Sequence, residues 1–191
     1  MGKDIIIVTI SLGNDGAERI LTELARQWHH DGHEITVIQT SPNRYGTEYA
    51  LPEGIEQIQI HTTSSNKILR FLQEIKALIG ILKQRPNATC LSFLSASSFI
   101  LAISSWFVKN RMVFSERNNP RKVPVGKHQQ ILRNFAFRFA DAIVFQTEDA
   151  KSYFSKSIQR RGHIIPNPIN GNLPEPYEGE REKIIVTACR L

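Results

Sequence analysis

The chain has 191 residues, of which 41% are hydrophobic and 22% are charged, and its formal net charge is +6. These values fit one sizeable globular domain and exclude a collagen-like, disordered or low-complexity protein. The two cysteines, Cys90 and Cys189, lack CxxC spacing, which excludes a disulfide framework or structural zinc site and favours reduced thiols in a cytoplasmic protein.

The first forty residues form a predicted βαβ unit. Asp4 to Ser11 is an apolar, β-branched run that is typical of a buried strand. The loop Gly-Asn-Asp-Gly at 13–16 leads into apolar residues at helical spacing, which end before Gly32. A second strand is predicted at Glu34 to Gln39. This order implies parallel strands joined by a right-handed crossover.

The same alternation of strands and helices continues to residue 165. Further strands are predicted at 54–61, 88–93, 111–115, 141–146 and 163–165. Helices are predicted from the apolar spacing of Ile68, Leu72, Ile75, Ile79 and Leu82, at 97–107, around Leu132, Phe135 and Phe139, and from a Thr147 cap to about Ser155. The alternation indicates an α/β fold with a Rossmann-like, doubly wound parallel sheet.

Residues 87–108 carry no charge and are long enough to suggest a membrane-spanning helix. Six serines dilute this stretch, however, and 94–98 has the pattern of a strand-to-helix turn with a serine N-cap. We therefore predict a buried strand followed by a buried helix.

The chain is predicted to divide into three parts. Residues 1–168 form the α/β domain, which stops at Pro166-Asn167-Pro168. The stretch 169–182 is rich in Pro, Gly and acids, as linkers are. Residues 183–191 have the pattern of the first strand of a second domain, which we expect to be cut short.

The net positive charge of the chain lies at 109–138, which has eight basic residues and one acid, Glu116. A concentrated positive field attracts anionic partners such as phosphorylated acceptors or acidic lipids. We predict that Arg121, Lys122, Lys127 and Arg133 form an acceptor-binding or anionic-surface contact. A solvated loop and helix face explains the charge equally well. Nucleic acid is not expected, since no nucleic-acid-binding motif accompanies the charge.

The loops beyond the carboxyl ends of the strands are the candidate ligand sites, as in other open parallel sheets. The first loop carries Gly13, Asn14 and Gly16 just before a helix, where glycines allow close approach and the helix N-terminus favours anions. Glu116 and Arg117 follow the fifth strand and suit hydroxyl and phosphate groups. A tight turn and a solvated Glu–Arg pair are the alternatives. No GxGxxG motif or P-loop is present, and no metal or cofactor is expected.

Seven short motifs together point to a family. They are NDGAERIL at 14–21, GHEITV at 32–37, LPEGI at 51–55, VFSERN at 113–118, AIVFQTE at 142–148, IIPNPI at 164–169 and IVTACRL at 185–191. In this order the sequence resembles the N-terminal domain of family-4 retaining glycosyltransferases with the GT-B fold, over nearly its whole length. It has Glu116 and Arg117 where many relatives have a histidine.

The resemblance implies a half-enzyme that presents the acceptor, while a C-terminal domain binds a nucleotide sugar, expected to be UDP-linked. It implies transfer with retention to a glycan or lipid-linked acceptor, in polysaccharide biosynthesis, with peripheral contact to an anionic membrane. Catalytic roles fall to Glu116 and Arg117. Diphosphate-binding roles fall to Gly13, Asn14, Gly16 and Arg190.

Two other classes of function stay open at this point. One is a non-enzymatic α/β ligand-binding module, and the other is a different sugar-nucleotide enzyme, such as an epimerase. Because the resemblance places the donor-binding half beyond Leu191, we expect the 191-residue chain alone to be inactive.

Overall fold

The strands of the described residues form one parallel sheet. The computed structural model describes residues 2–13, 16–41, 50–93, 95–123, 126–168 and 178–179. The strands are β1 (Asp4–Thr9), β2 (Glu34–Gln39), β3 (Glu56–Gln59), β4 (Thr89–Phe93), β5 (Arg111–Glu116), β6 (Ala142–Phe145) and β7 (Gly162–Ile164). Their order is β3-β2-β1-β4-β5-β6-β7, and every neighbouring pair is parallel. The predicted Rossmann-like sheet is confirmed.

Among the described residues, helices follow β1, β3, β4, β5 and β6, as the sequence pattern predicts. They are α1 (Gly16–His30), α2 (Lys67–Gln84), α3 (Ser95–Ser104), α4 (Lys127–Ala136), α5 (Glu148–Ser152) and α6 (Lys156–Gln159), with a 3₁₀ turn at Phe137–Phe139. The Asn66 side chain caps α2 by accepting from the backbone N–H of Ile68 at 2.9 Å, and Thr147 caps α5 by accepting from Ala150 at 3.1 Å.

Alternate residues of β1 face two separate apolar layers. Ile6 and Val8 point into the layer that contains buried residues of α2 and α3, whereas Ile7 points into the layer under α1. In the middle of the first layer, α3 contacts both α2 and α4. The sheet is thus covered on both faces, which explains why its strands are apolar runs rather than alternating patterns.

The uncharged stretch at 87–108 forms β4 and α3, as predicted. Cys90 is buried in β4, and burial, with a smaller contribution from Asp4, raises the pKa of its thiol to about 12. Among the described residues, no helix combines the length and the apolar composition that crossing a bilayer requires.

Several predicted boundaries are wrong. The predicted third strand is longer than β3, α3 ends at Ser104 rather than 107, and α5 ends at Ser152 rather than about 155, while α6 was not predicted. On α2, Ile75 and Leu82 are buried, but Ile68 and Leu72 of the predicted apolar face are exposed. The reason is length: 18 helical residues span about 27 Å, whereas a four-residue strand spans about 13 Å, so the first turns of α2 pass the sheet.

An ion-pair cluster closes the amino edge of the sheet, where the strands begin. The guanidinium of Arg85, just after α2, lies 3.2 Å from Glu34 and 3.3 Å from Glu56, and its Nε donates to Asp4 at 2.9 Å. Its side chain is 17% exposed. The cluster ties β1, β2 and β3 to the end of α2.

The predicted linker and second-domain strand lie outside the described residues, apart from Glu178 and Gly179. The same is true of Asn14 and Arg190, two of the predicted diphosphate contacts.

Candidate functional site

The carboxyl edge of the sheet, where the strands end, brings the predicted loops together. From β1 the chain proceeds outward to β2 and β3, and then returns to the other side of β1 for β4 through β7. The reversal between β1 and β4 leaves a crevice, the usual ligand position in this kind of sheet. Gly16 follows β1 and Arg117 follows β5, so both lie at this edge.

A buried carboxylate holds the loop after β1. Glu18, in the first turn of α1, is 7% exposed, and its Oε1 accepts from the Ser11 hydroxyl at 3.3 Å. A Cβ on Gly13 would lie 3.1 Å from Oε2 of Glu18, so the carboxylate fits closely beneath a residue without a side chain. Gly16 is exposed, and a Cβ there would meet no atom within 4 Å. Among the described residues, no atom would therefore contact a Cβ at the start of α1.

Glu116, at the end of β5, is 1% exposed. Its Oε1 accepts from the backbone N–H of Asn118 at 3.2 Å, and its Oε2 lies 3.6 Å from Nη1 of Arg133 on α4. Both side chains of this ion pair are fully buried. Glu116 thus pairs with a helix of the adjoining layer. Its predicted catalytic role stays a prediction.

Arg133 holds the loop that follows β5. Its Nη1 donates to the backbone oxygens of Val123 at 2.8 Å and Pro120 at 3.3 Å. Its guanidinium also lies over the rings of Tyr153, at 5.2 Å, and Phe154, at 4.9 Å. The prediction that Arg133 contributes to an anionic-surface contact is wrong, because carbonyls, rings and a carboxylate enclose this side chain.

The other members of the predicted basic surface are exposed. Arg121, Lys122 and Lys127 all lie at the surface, and Arg121 forms an ion pair with Asp149 at 3.3 Å. These residues remain candidates for an anionic contact.

Arg117, the next residue after β5, is half-buried at the carboxyl edge. Its guanidinium lies 5.3 Å from the centre of the Phe93 ring, at the end of β4, and its Nη2 donates to Oδ1 of Asn167 beyond β7. Asn167 also accepts from Nε2 of Gln146 at 2.8 Å. Burial lowers the pKa of Arg117. Within the described residues, no carboxylate lies within 4.0 Å of its nitrogens.

The chain was compared with known families and solved structures. The model of Glycosyltransferase Family 4 matches residues 14–172, which is most of the chain. The chain belongs to glycosyltransferase family 4. Comparison with curated protein sequences gave no match.

Solved structures with the same fold include glycosyltransferases and an epimerase. The lipopolysaccharide outer core galactosyltransferase WaaB aligns with a TM-score of 0.68 and 11% identity, over 92% of this chain and 50% of WaaB. The Anabaena protein HepE, in complex with UDP, aligns with a TM-score of 0.66 and 15% identity, over 87% of this chain and 44% of HepE. UDP-N-acetylglucosamine 2-epimerase from Rickettsia bellii aligns with a TM-score of 0.57 and 15% identity, over 83% of this chain and 44% of the epimerase. The chain thus spans about half the length of these proteins.

Two residues of the candidate site in this family-4 domain were not predicted, although both lie within the sequence motifs. Glu18 lies in the first motif and Asn167 in the sixth, yet neither was assigned a role. Glu18 resembles an ordinary exposed acid in a first helical turn, and only its contact with Ser11 shows that it is buried in the loop. Asn167 lies between two prolines, a pattern typical of the end of regular structure, and only the folded chain brings it within hydrogen-bond distance of Arg117.

An exposed apolar surface adjoins the basic segment of the family-4 domain. Trp106 is 57% exposed and Phe107 56%, and the Trp106 ring lies 6.5 Å from that of Phe135 on α4. Ile131, one turn before Phe135, is 68% exposed, and Lys127 precedes it by another turn. We name Trp106, Phe107, Lys127, Ile131 and Phe135 the aromatic–basic face. Sequence periodicity missed it, since Trp106 and Phe107 were expected in a buried helix and Phe135 on the apolar face of the next one.

Among the described residues, no three His, Cys, Asp or Glu side chains converge on a point that could hold a metal ion.

Proposed function

We propose that this chain is the acceptor-binding half of a retaining glycosyltransferase. The enzyme transfers a sugar from a UDP-linked donor to a glycan or lipid-linked acceptor, in polysaccharide biosynthesis. The observation that carries the proposal is the family-4 match over residues 14–172, on a fold that gathers the β1 loop and Arg117 at one edge. Its structural neighbour HepE, in complex with UDP, supports a uridine nucleotide as the donor.

The N-terminus of α1 suits the diphosphate of the donor. The first N–H groups of a helix have no partner within the helix, and they favour negative charge. Gly16 adds no side chain that would block them. When the sugar bond breaks, charge develops on the leaving diphosphate, and preorganised N–H groups stabilise it. Asn14 and Arg190 complete the proposed diphosphate contacts.

A donor screen tests the proposal. A protein that contains this chain together with a donor-binding domain is incubated with UDP-sugars and a set of glycan and lipid-linked acceptors, and release of UDP is measured with and without acceptor. We expect acceptor-dependent release, and an NMR spectrum of the product that shows the anomeric configuration of the donor. The 191-residue chain is the matched control and should release none. Turnover by the short chain, or an inverted product, would contradict the corresponding part of the proposal.

An epimerase is the second candidate, because UDP-N-acetylglucosamine 2-epimerases share the fold with TM-scores of 0.57 and 0.58. The two functions separate cleanly in one assay. An epimerase changes the configuration of its sugar nucleotide at carbon 2 without any acceptor, whereas a transferase leaves UDP-N-acetylglucosamine unchanged. The family match favours transfer. Formation of the carbon-2 epimer without an acceptor, detected by proton NMR, would favour the epimerase instead.

We also propose that the aromatic–basic face contacts an anionic membrane. Exposed Trp and Phe side chains beside lysines are typical of surfaces that lie in the lipid headgroup region. Lys127, Ile131 and Phe135 form one stripe along α4, and Phe135 contacts Trp106 of the adjoining segment. The exposed Lys122 lies in the loop before α4 and adds to the charge.

Vesicle flotation tests this contact. Vesicles of phosphatidylcholine with 30 mol% phosphatidylglycerol should bind the chain, and each lysine near such a surface contributes about 1 kcal/mol. The double variant K127S/I131S should therefore bind the vesicles more weakly than the wild type, by about tenfold or more. The matched control is K67S/I68S, which removes an equally exposed Lys–Ile pair from α2. Equal binding by both double variants and the wild type would refute membrane contact at this face.

A further inference from the structure

The arginines of the described residues fall into groups by the partner that compensates their charge. Arg26, Arg70, Arg85, Arg121 and Arg133 each lie within 4.0 Å of a carboxylate. Others, such as Arg111 and Arg138, are exposed, and water solvates them. Arg117 fits neither group, because it is half-buried at the carboxyl edge and no carboxylate of the described residues is within that distance.

Arg161 is also half-buried and, among the described residues, has no carboxylate partner. Its contacts are those of a structural arginine. Its guanidinium donates to the backbone oxygens of Phe137, Arg138 and Ala140, which use most of its donors. Arg117, by contrast, donates to one amide oxygen, that of Asn167. Its Nε is shielded from solvent and donates to no atom of the described residues. A guanidinium has five N–H donors, and among the described residues only Asn167 accepts from those of Arg117.

Two contacts fix the guanidinium of Arg117 in place. The Phe93 ring lies on one side at 5.3 Å, and the hydrogen bond to Asn167 holds one end. Asn167 is itself held by Gln146 at 2.8 Å. A side chain ordered in advance loses little conformational entropy when it binds, which favours a ligand group that matches the planar fork of donors.

The carboxylates of the β5 and β1 loops do not compensate the charge of Arg117. The neighbouring carboxylate, Glu116, is compensated by Arg133 beneath the edge. Glu18 lies in α1, which follows β1; its carboxylate accepts from Ser11, and β4 separates β1 from β5 in the sheet. The Glu116–Arg117 ion pair that the sequence left open therefore does not form. Arg133 compensates the charge of Glu116, and Arg117 keeps its positive charge.

We propose that Arg117 binds a phosphate group of a substrate at the carboxyl edge of the sheet. This inference rests on the proposed function and extends it, since it assigns a ligand chemistry to one side chain. A planar guanidinium matches two phosphate oxygens at once, and such charge-assisted bonds are the stronger kind. The phosphate belongs either to the donor diphosphate or to a phosphorylated acceptor.

Side-chain NMR of the chain, titrated with inorganic phosphate, tests the binding. The Nε–H resonance of Arg117 should shift and saturate, while that of Arg160, an exposed arginine at the opposite edge, should not. R117Q should weaken phosphate binding by about tenfold or more, and R117K by less, because lysine keeps the charge but lacks the fork. R160Q should bind as the wild type does. An Arg117 resonance that does not respond, or R117Q with unchanged affinity, would overturn the proposal.

Kinetics of a protein that contains this chain together with a donor-binding domain identifies the source of the phosphate. If R117Q raises KM for the UDP-sugar, the group is the donor diphosphate, and if it raises KM for a phosphorylated acceptor, the group is on the acceptor. Either result supports the inference, whereas unchanged KM for both substrates contradicts it and leaves the transferase assignment intact. Phosphate binding at Arg117 in a protein without transferase activity would instead refute the proposed function alone.

Discussion

The two edges of the sheet each contain a partly buried arginine, but they surround it with different partners. At the amino edge, Arg85 is enclosed by Asp4, Glu34 and Glu56. At the carboxyl edge, Arg117 is half-buried with one amide acceptor and an aromatic ring. Three carboxylates compensate the charge of Arg85, whereas no carboxylate of the described residues compensates that of Arg117. The difference marks the amino edge as structural and the carboxyl edge as prepared for an anionic partner.

The pKa shifts of the two side chains have opposite signs for the same reason. Burial alone would lower the pKa of Arg85, but the hydrogen bond and charge of Asp4, with Glu34 and Glu56, outweigh it and raise the pKa. Burial lowers the pKa of Arg117 without such an opposing effect. The charge of Arg117 therefore costs folding free energy that the charge of Arg85 does not.

The largest effect on stability is expected from Arg133→Met. The change leaves Glu116 buried without its cation, and breaking such a pair costs about 3–5 kcal/mol. Urea unfolding should report the loss. The double variant E116Q/R133M removes both charges and should recover more than half of it. A single variant as stable as the wild type would show that the buried pair contributes nothing.

A smaller effect is expected from Arg85→Met at the amino edge. Its hydrogen bonds to charged groups are partly exposed, so we expect a loss of about 1–3 kcal/mol in urea unfolding. Raising the salt concentration to about 1 M should narrow the difference from the wild type, because salt screens exposed charges. Arg26→Met, in a surface pair with Glu23, is the control and should change stability by less than about 1 kcal/mol.

Glu18→Gln should have a still smaller effect. It keeps the size of the side chain but removes a negative charge from the first turn of α1, which costs about 0.5–1 kcal/mol in thermal or urea unfolding. Glu23→Gln on the exposed side of the same helix is the matched control. If both variants lose the same amount, the carboxylate of Glu18 has no special part in holding the β1 loop.

The smallest effect on stability is expected from Arg117→Met. The variant loses the bond to Asn167 but no longer buries a charge, so the two changes offset each other to within about 1 kcal/mol. Phosphate binding should be lost at the same time. A loss of stability of more than about 3 kcal/mol would place Arg117 with Arg85 among the structural arginines and remove the contrast between the edges.

Much of this fold could be predicted from local patterns. Apolar β-branched runs and helical spacing placed β1 to β7 and α1 to α5 in the right order, because the periodicity of burial is a local property of the chain. The boundaries were less accurate: α3 ends at Ser104, and Trp106 and Phe107 lie beyond it, exposed. An aromatic residue has the same composition signal whether it packs inside or faces solvent, so the aromatic–basic face could not be foreseen.

The candidate site was predicted by position but not by pairing. The sequence indicated the loops that contain Gly16, Glu116 and Arg117, since the carboxyl ends of parallel strands meet at one edge. It left a solvated Glu116–Arg117 pair open as an alternative, and it assigned Arg133 to an anionic-surface contact. Both assignments depend on how α4 packs against β5, which no local pattern specifies.

The sequence by itself determined the alternation of elements, the parallel sheet and the family, because hydrogen bonding along the backbone and the spacing of apolar residues are local properties. Only the tertiary structure decided which arginine keeps its charge for a ligand. Glu116 and Arg133 come together through the packing of a helix on a strand, and Arg117 meets Phe93 and Asn167 from two other strand ends. Electrostatic compensation acts through space, so the folded arrangement alone distinguishes a structural cation from a binding one.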